Sequence, residues 1–477
     1  MQMREDPQTA NIIELNLDWS QLIKVVITSG LSQVPYAGQL LSGIVGVLWP
    51  KPNQPDTWNQ IKGQVEALVN HRMEQEAWNR LSQKLTGLYR AYGAYMLAIE
   101  SRSKKAIRGH WITLENSLRV ETPAFQLSPY QVVLLPLFAQ CATLHLSHLR
   151  DLSIHGVDWG MTQKYVDLMK SDMRQIHGEY RDYTTKTFED AVKHREDITK
   201  PDYHTVQPFR SVNTLVRYLT LAALDSRDRW PDFFEGQKVV KPLAREIFTD
   251  PAGTTTGQSR SIPPKNRPPM ATQPITRIKA WGYNNFDAIQ VFYPPGGGPG
   301  GVTETPRMGT GGGAVEFDVG IEADNPIVKA AARAGDYIHQ VQFWRKKGPQ
   351  DRPDHNAGGR AQEGGAWTEY RCKHHIVSSV YATGIGQPGN PAAELIIFGF
   401  RDDTQPKTFT LEEWEFLYVH SMQDLSVREF LGEFAPAALL ESTDLEALET
   451  SWSAARAAYW SEMEAFVTSV KERESLD

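Results

Sequence analysis

From Thr122 to Leu149 the chain runs 28 residues without one charged side chain, then ends abruptly in Arg150-Asp151. Its centre, VVLLPLFAQCATLHLSHL, is too apolar for a helix with one face in water, yet it carries Pro136, Gln140, His145 and His148. Drawn as a helix from Pro129 to Ile154, it spans roughly 39 Å at about 1.5 Å per residue, more than the about 30 Å of a bilayer's hydrocarbon core. Two states satisfy such a segment: a helix sequestered at the centre of a bundle, and a helix in lipid. One can follow the other, burial in a soluble form giving way to exposure in a membrane.

At 477 residues there is room for two or three domains, each with its own core. The opening MQMREDPQTA has no apolar run behind a basic region, so no cleavable signal peptide is expected, and synthesis in the cytoplasm follows. Val25 to Pro50 is also uncharged, but Gly30, Pro35, Gly38, Gly43 and Gly46 argue for short broken helices rather than a span. Only two cysteines occur, Cys141 and Cys372, which excludes a disulfide framework. The net charge of −7 conceals an asymmetry: after Gln405 there are 15 acidic and 5 basic residues, leaving about +3 for the rest. No basic stripe marks a nucleic-acid surface.

Up to about residue 250 the spacing is helical. Trp58 to Ser101 repeats Ile61, Val65, Leu68, Trp78, Leu81, Leu85, Leu88, Tyr92 and Tyr95 on one face; a shorter helix covers Gly109 to about Leu118 and closes near Pro123. After the apolar helix come Met161 to His194 and Val212 to Trp230. Amphipathic helices around one apolar helix make a bundle, since each outer stripe needs a partner and the inner helix needs cover on all sides. Composition breaks at Gly253 to Pro274, whose prolines and small polar residues read as an exposed connection, with Arg260, Lys265 and Arg267 as protease-sensitive positions. From Ile275 the period becomes two: ITRIKAWGY, DAIQVFY, AVEFDVGI, YIHQVQFW, HIVSSVYATGI and AELIIFGF are strands between glycine-rich turns. The tail after Gln405 returns to helical spacing, as in ALETSWSAARAAYWSEMEAFVTSV.

The expected fold is therefore multidomain α + β: a helical bundle over 1–252, a linker over 253–274, an all-β domain over 275–404 and an acidic helical region over 405–477. Enzyme motifs such as HExxH, GxSxG and a Walker loop are absent, and the glycine runs at 296–301 and 309–313 lack the strand, helix and lysine context of a phosphate site. Neither an enzyme nor a cofactor is expected. His145 and His148 lie one turn apart and read either as a metal or pH-sensing pair or as polar groups satisfied between helices; no third ligand stands out, and no metal is expected. Arg150 and Asp151 cannot stand bare in a core, so both are expected to pair across helices and to lock the soluble state, with Glu179, Arg181 and Asp182 as candidate partners. Trp281, Trp344 and Trp367 read either as core residues or as platforms for sugar rings.

Several of these segments resemble the insecticidal delta-endotoxins of the three-domain crystal-toxin (Cry) family. LPLFAQCATLHLSHLRDLSIHGVDWG, Leu135 to Gly160, resembles that family's central-helix block, with L-H-L, L-R-D and a G-x-x-W-G turn. VPYAGQLLSGIVGVLWP, QVEALVNHRMEQEAWNRLSQKLTGLYRAYGAYMLAIES, LVRYLTLAALDSRDRWPDF and PLAREIFTD follow the family's order. The resemblance implies a seven-helix bundle whose hydrophobic fifth helix is caged. It also implies that a hairpin, about Lys105 to Ile154, enters the target-cell membrane and lines a pore there as a homo-oligomer. The inserting helix would present Val132, Val133, Leu134, Leu135, Leu137, Phe138, Leu144, Leu146 and Leu149 to lipid. The β domain resembles a β-prism shared with jacalin-type lectins, WGYNNFDAIQVFY being nearer the lectin pattern. Its implied partner is a surface glycan or glycoprotein receptor, with Trp281, Asp287, Trp344 and Trp367 as candidate contacts. The family's usual third domain, a β-sandwich, is not seen after Arg401. The implied function is that of a pore-forming toxin, released or crystal-deposited and acting outside the cell. The alternatives are a carbohydrate-binding protein that uses the bundle as scaffold, and an assembly protein directed by its acidic tail.

Overall fold

The computed structural model describes residues 57–403, apart from 102, 201–204, 235–242, 254–267, 350, 360–364, 373–374 and 386–391. The VPYAGQLLSGIVGVLWP block, Arg260, Lys265, Arg267 and the acidic region after Gln405 lie outside the described residues. A helical N-terminal part is followed by β-sheets, and packing divides the chain into two compact units that do not follow chain order. The helices up to Thr187 and the turn after Ala222 belong to one; Phe188–Leu221 and the strands belong to the other.

Six helices of 13 residues or more are described: α1 (Thr57–Val69), α2 (Gln75–Glu100), α3 (Lys104–Glu121), α4 (Gln131–His155), α5 (Gln163–Ile198) and α6 (Gln207–Leu219). A π turn over Thr220–Leu224 carries α6 into the short α7 (Asp225–Arg229) and a 3-10 turn at Trp230–Phe233. The helical spacing over Trp58 to Ser101 is interrupted once, between α1 and α2. Asn70 takes a positive φ of 51°, which asparagine tolerates, and the Glu66 carboxylate accepts the Met73 N–H at 2.7 Å. Helix α3 begins at Lys104, five residues before Gly109, because the Ser103 hydroxyl caps it by accepting the Ala106 N–H. Its buried stripe is Ile107, Trp111, Leu114, Glu115 and Leu118.

Helix α4 is the expected apolar helix, and every residue from Val133 to Leu152 is buried, while Val132 is half-buried. A helix covered on all sides has no polar face to alternate with, which is why its sequence shows no amphipathic period. Pro136 sits in its second turn and withholds an N–H from the Val132 carbonyl, a defect confined to the helix start. Seven leucines of α4 are at most 1% exposed. At about 1.5–3 kcal/mol each, they contribute roughly 10–20 kcal/mol of gross apolar burial.

The second unit contains three four-stranded antiparallel sheets that share one core, a triangular prism. The first joins β1 (Ile247–Phe248), β2 (Ala252–Gly253), β11 (His375–Ile385) and β12 (Ala392–Asp402). The second orders β10 (Ala366–Arg371), β7 (Ile327–Ala334), β8 (Ile338–Arg345) and β9 (His355–Gly358). The third orders β5 (Met308–Gly309), β4 (Phe286–Phe292), β3 (Arg277–Gly282) and β6 (Ala314–Gly320). Ile278, Ile289, Val341, Phe343, Ile396 and Phe398 meet inside it. Strand β12 does not alternate because both faces are covered: Ile396 and Phe398 face the prism core, while Leu395 and Ile397 pack with Phe209 of α6 and Phe248. The PLAREIFTD segment supplies β1, which pairs with Phe400 and Gly399.

Of the expected exposed connection over 253–274, the structure describes Gly253 and residues 268–274; Pro269, Met270, Thr272 and Gln273 are exposed, while Gly253 and Ala271 are anchored. Gly253 lies in β2 with φ of 86°, where a Cβ would stand 2.0 Å from the Glu394 carbonyl oxygen; only glycine permits that approach. Ala271 is buried and donates its N–H to Glu246 at 3.0 Å.

Candidate functional site

The polar groups of α4 are satisfied in three ways. Thr143 and Ser147 donate to the carbonyls one turn back on their own helix, Ala139 at 2.8 Å and Thr143 at 2.7 Å. A second group bonds to α3, the helix that precedes it. The His148 Nε2–H donates to the Trp111 carbonyl at 3.0 Å and the Trp111 indole N–H donates to the His148 carbonyl at 3.2 Å, with the two rings stacked at 4.7 Å. His145 Nε2 donates to the Glu115 carboxylate at 3.1 Å, and Arg119 also holds that carboxylate at 2.8 Å. The third group reaches other helices. The Gln140 amide donates to the Ala222 carbonyl in the π turn and to the Ser226 hydroxyl, both at 3.2 Å. The Trp230 indole N–H donates to the Thr143 hydroxyl at 2.9 Å, and the Tyr180 hydroxyl is hydrogen-bonded to His145 Nδ1 at 2.8 Å.

His145 and His148 therefore face different partners and do not converge. Arg150 and Asp151 are both buried, as expected. Their expected partners are a correction: Arg181 pairs with Asp182 on the exposed side of α5, and Glu179 accepts from Gln175. The groups that act on Asp151 are Arg150 beside it and Tyr92 and Tyr95 of α2. Sequence reading missed Trp111, Glu115, Tyr180, Ser226 and Trp230. One signal was available: Glu115 is the acid on the otherwise apolar stripe of α3, a placement that demands a buried partner.

In the β unit the four candidate contacts have different surroundings. Trp281 has Arg307 at 4.3 Å and Lys279 at 5.2 Å from its ring. Trp344 is 4% exposed and covered by Lys329 at 4.2 Å. Trp367, on β10 at the edge of its sheet, is 43% exposed, with Arg333 at 5.8 Å. Asp287 is buried beneath the glycine segment 309–313, where Gly313 lies so close that a Cβ would stand 2.2 Å from its Oδ2. Burial pushes its carboxyl up to about 6, against the opposing charge of Arg307. The fold brings Asp287 and Trp281 together around Arg307 on one sheet and leaves Trp344 and Trp367 on another.

A caged apolar helix in a bundle is followed by a three-sheet β part, and residues 26–233 match the family of the delta endotoxin N-terminal domain. The helical N-terminal part thus matches the delta endotoxin N-terminal domain, and a helical domain followed by β-sheets is the arrangement seen in Cry toxin structures. The chain is 28% identical over 302 residues to the pesticidal crystal protein Cry1Ad of Bacillus thuringiensis subsp. aizawai, and 30% identical over 239 residues to Cry1Ia of Bacillus thuringiensis subsp. kurstaki. Those matches cover 59% and 47% of this chain but span only 25% and 32% of the relatives' lengths. Among solved structures, the Bacillus thuringiensis insecticidal crystal protein Cry7Ca1 has a TM-score of 0.66 at 18% identity, over 81% of this chain and 75% of its own. PirB has a TM-score of 0.62 at 17% identity, over 83% of this chain and 96% of its own. These last two likenesses concern the fold.

Proposed function

We propose that the chain is a pore-forming, insecticidal-type toxin: its β unit binds a glycan or glycoprotein on the target cell, and the hairpin of α3 and α4 enters that cell's membrane. The observation that carries this reading is the burial of every residue from Val133 to Leu152 in a 25-residue helix free of charge until its last turns. Such a helix is long enough to cross a hydrocarbon core, and a helical hairpin satisfies its own backbone there, as a loop cannot. Arg150 and Asp151 belong to the soluble state, where their burial holds the end of α4 against α2. The test is release of dye from liposomes by the full chain, repeated with an engineered disulfide tying α4 to the turn after Ala222. Wild type is expected to leak, the oxidised variant to bind without leaking, and reduction to restore leakage. Undiminished leakage from the locked protein would falsify the proposed insertion.

A further inference from the structure

The polar bonds of α4 sort by partner, and the sorting has a thermodynamic meaning. Apolar burial holds α4 in the bundle, but acyl chains cover leucine about as well as neighbouring helices do, so that large contribution nearly cancels between the two states. Bonds from α4 to itself, through Thr143 and Ser147, survive in either state. Bonds between α3 and α4, through Trp111, His148, Glu115 and His145, survive if the two helices move together. What distinguishes the caged state is the set that ties α4 to helices outside the hairpin, and only a difference between states can set their balance.

We propose that Gln140, Thr143 and Tyr180 form a polar latch that sets how readily the hairpin leaves the bundle, while the Trp111–His148 pair keeps α3 and α4 together as one moving part. This rests on the pore-forming reading and assigns the regulation of that same hairpin. The latch is a built feature of the fold. The π turn at Thr220–Leu224 gives up regular helical bonding and presents the Ala222 carbonyl, which the Gln140 amide fills; Ser226 and Trp230, one and two turns on, receive the same stripe of α4. Both indole and amide are buried, so each bond lost leaves a buried group without its partner.

Two readouts on the full chain test this: the rate at which Cys141, a buried thiol on α4, is labelled by a maleimide, and the initial rate of dye release from liposomes. Gln140→Leu, Thr143→Val and Tyr180→Phe keep side-chain volume near its original value and are expected to raise both rates about threefold to tenfold each, the factor that one net hydrogen bond supplies. Trp111→Phe, compared at equal loss of urea stability, is expected to leave Cys141 labelling near the wild-type rate and to lower leakage. If the latch variants label and leak at the wild-type rate, or if Trp111→Phe speeds both as much as they do, the latch is overturned. If latch variants speed Cys141 labelling while no protein, wild type included, releases dye, the latch stands and the pore-forming reading falls.

Discussion

At the scale of single residues, the β unit holds a carboxyl whose charge is only partly compensated. Asp287 is buried on β4, its Oδ1 has no hydrogen-bond partner among the described residues, and burial raises its pKa to about 6 from 3.8. Between those two values the folded chain keeps a proton that the unfolded chain has released. Stability from this group is therefore greatest at low pH and falls as pH rises through that window. Asp287→Asn keeps the shape and removes the charge. We expect hydrogen exchange in β3 and β4 to show wild type losing stability between pH 4 and pH 6, and the variant to lack that slope. Above pH 6 the variant should be more stable by about 1–2 kcal/mol, given about 1.4 kcal/mol for each pKa unit and a carboxyl that Arg307 partly compensates. Equal slopes would show that the glycine segment admits enough water to solvate the carboxylate. The sequence offered this residue as a candidate contact because of its motif; its confinement under Gly313 depends on chain folded back from more than twenty residues away, which no local pattern records. The same holds for the bundle: Leu134 or Leu146 was legible from composition, but Gln140 and Ser226 meet across 86 residues.

Elements were legible where their period matched a single buried face. Helices α2, α5 and strand β3 repeat at 3.6 or 2 because one side of each meets a core. Strand β7 escaped because it reads IVKAAARA; alanine has little strand preference, and its partners β8 and β10, on either side, decide its state. Strand β12 was found but not its double burial, since the helix that covers its second face lies almost two hundred residues earlier. That cover is anchored by polar bonds: Asn213 of α6 donates to the carbonyls of Phe248 at 3.0 Å and Thr249 at 3.2 Å, and Arg217 pairs with Asp250 at 2.9 Å. Asn213→Leu removes a buried donor from both carbonyls, leaving the Phe248 carbonyl with Arg217 at 3.0 Å. We expect a loss of about 1–3 kcal/mol in urea unfolding and faster amide exchange at β1. Unchanged exchange at Phe248 and Thr249 would mean that apolar packing of Phe209 alone holds the helix in place.

For the molecule as a whole, the two compact units imply two separable tasks. In the proposed function, entry into lipid would draw on the apolar helix and its latch, and recognition on what the β unit exposes. Of the four candidate contacts, Trp367 is the most exposed, at 43%, with Arg333 at 5.8 Å from its ring, whereas Trp344 is covered and Trp281 is half-buried with cations at 4.3 and 5.2 Å. Aromatic anchors of this kind carry much of the energy in small recognition surfaces. Trp367→Ala is therefore expected to weaken binding to target-cell glycoprotein, read by surface plasmon resonance, by about tenfold or more. Leakage from plain liposomes, which offer no receptor, should stay at the wild-type rate. On liposomes carrying the glycoprotein, the variant should lose only the gain that the receptor confers. Were plain-liposome leakage to fall along with binding, Trp367 would belong to the insertion step, and the division of labour between the two units would be wrong. Were binding to hold, recognition would move to another exposed part of the β unit, such as the turn carrying Tyr283.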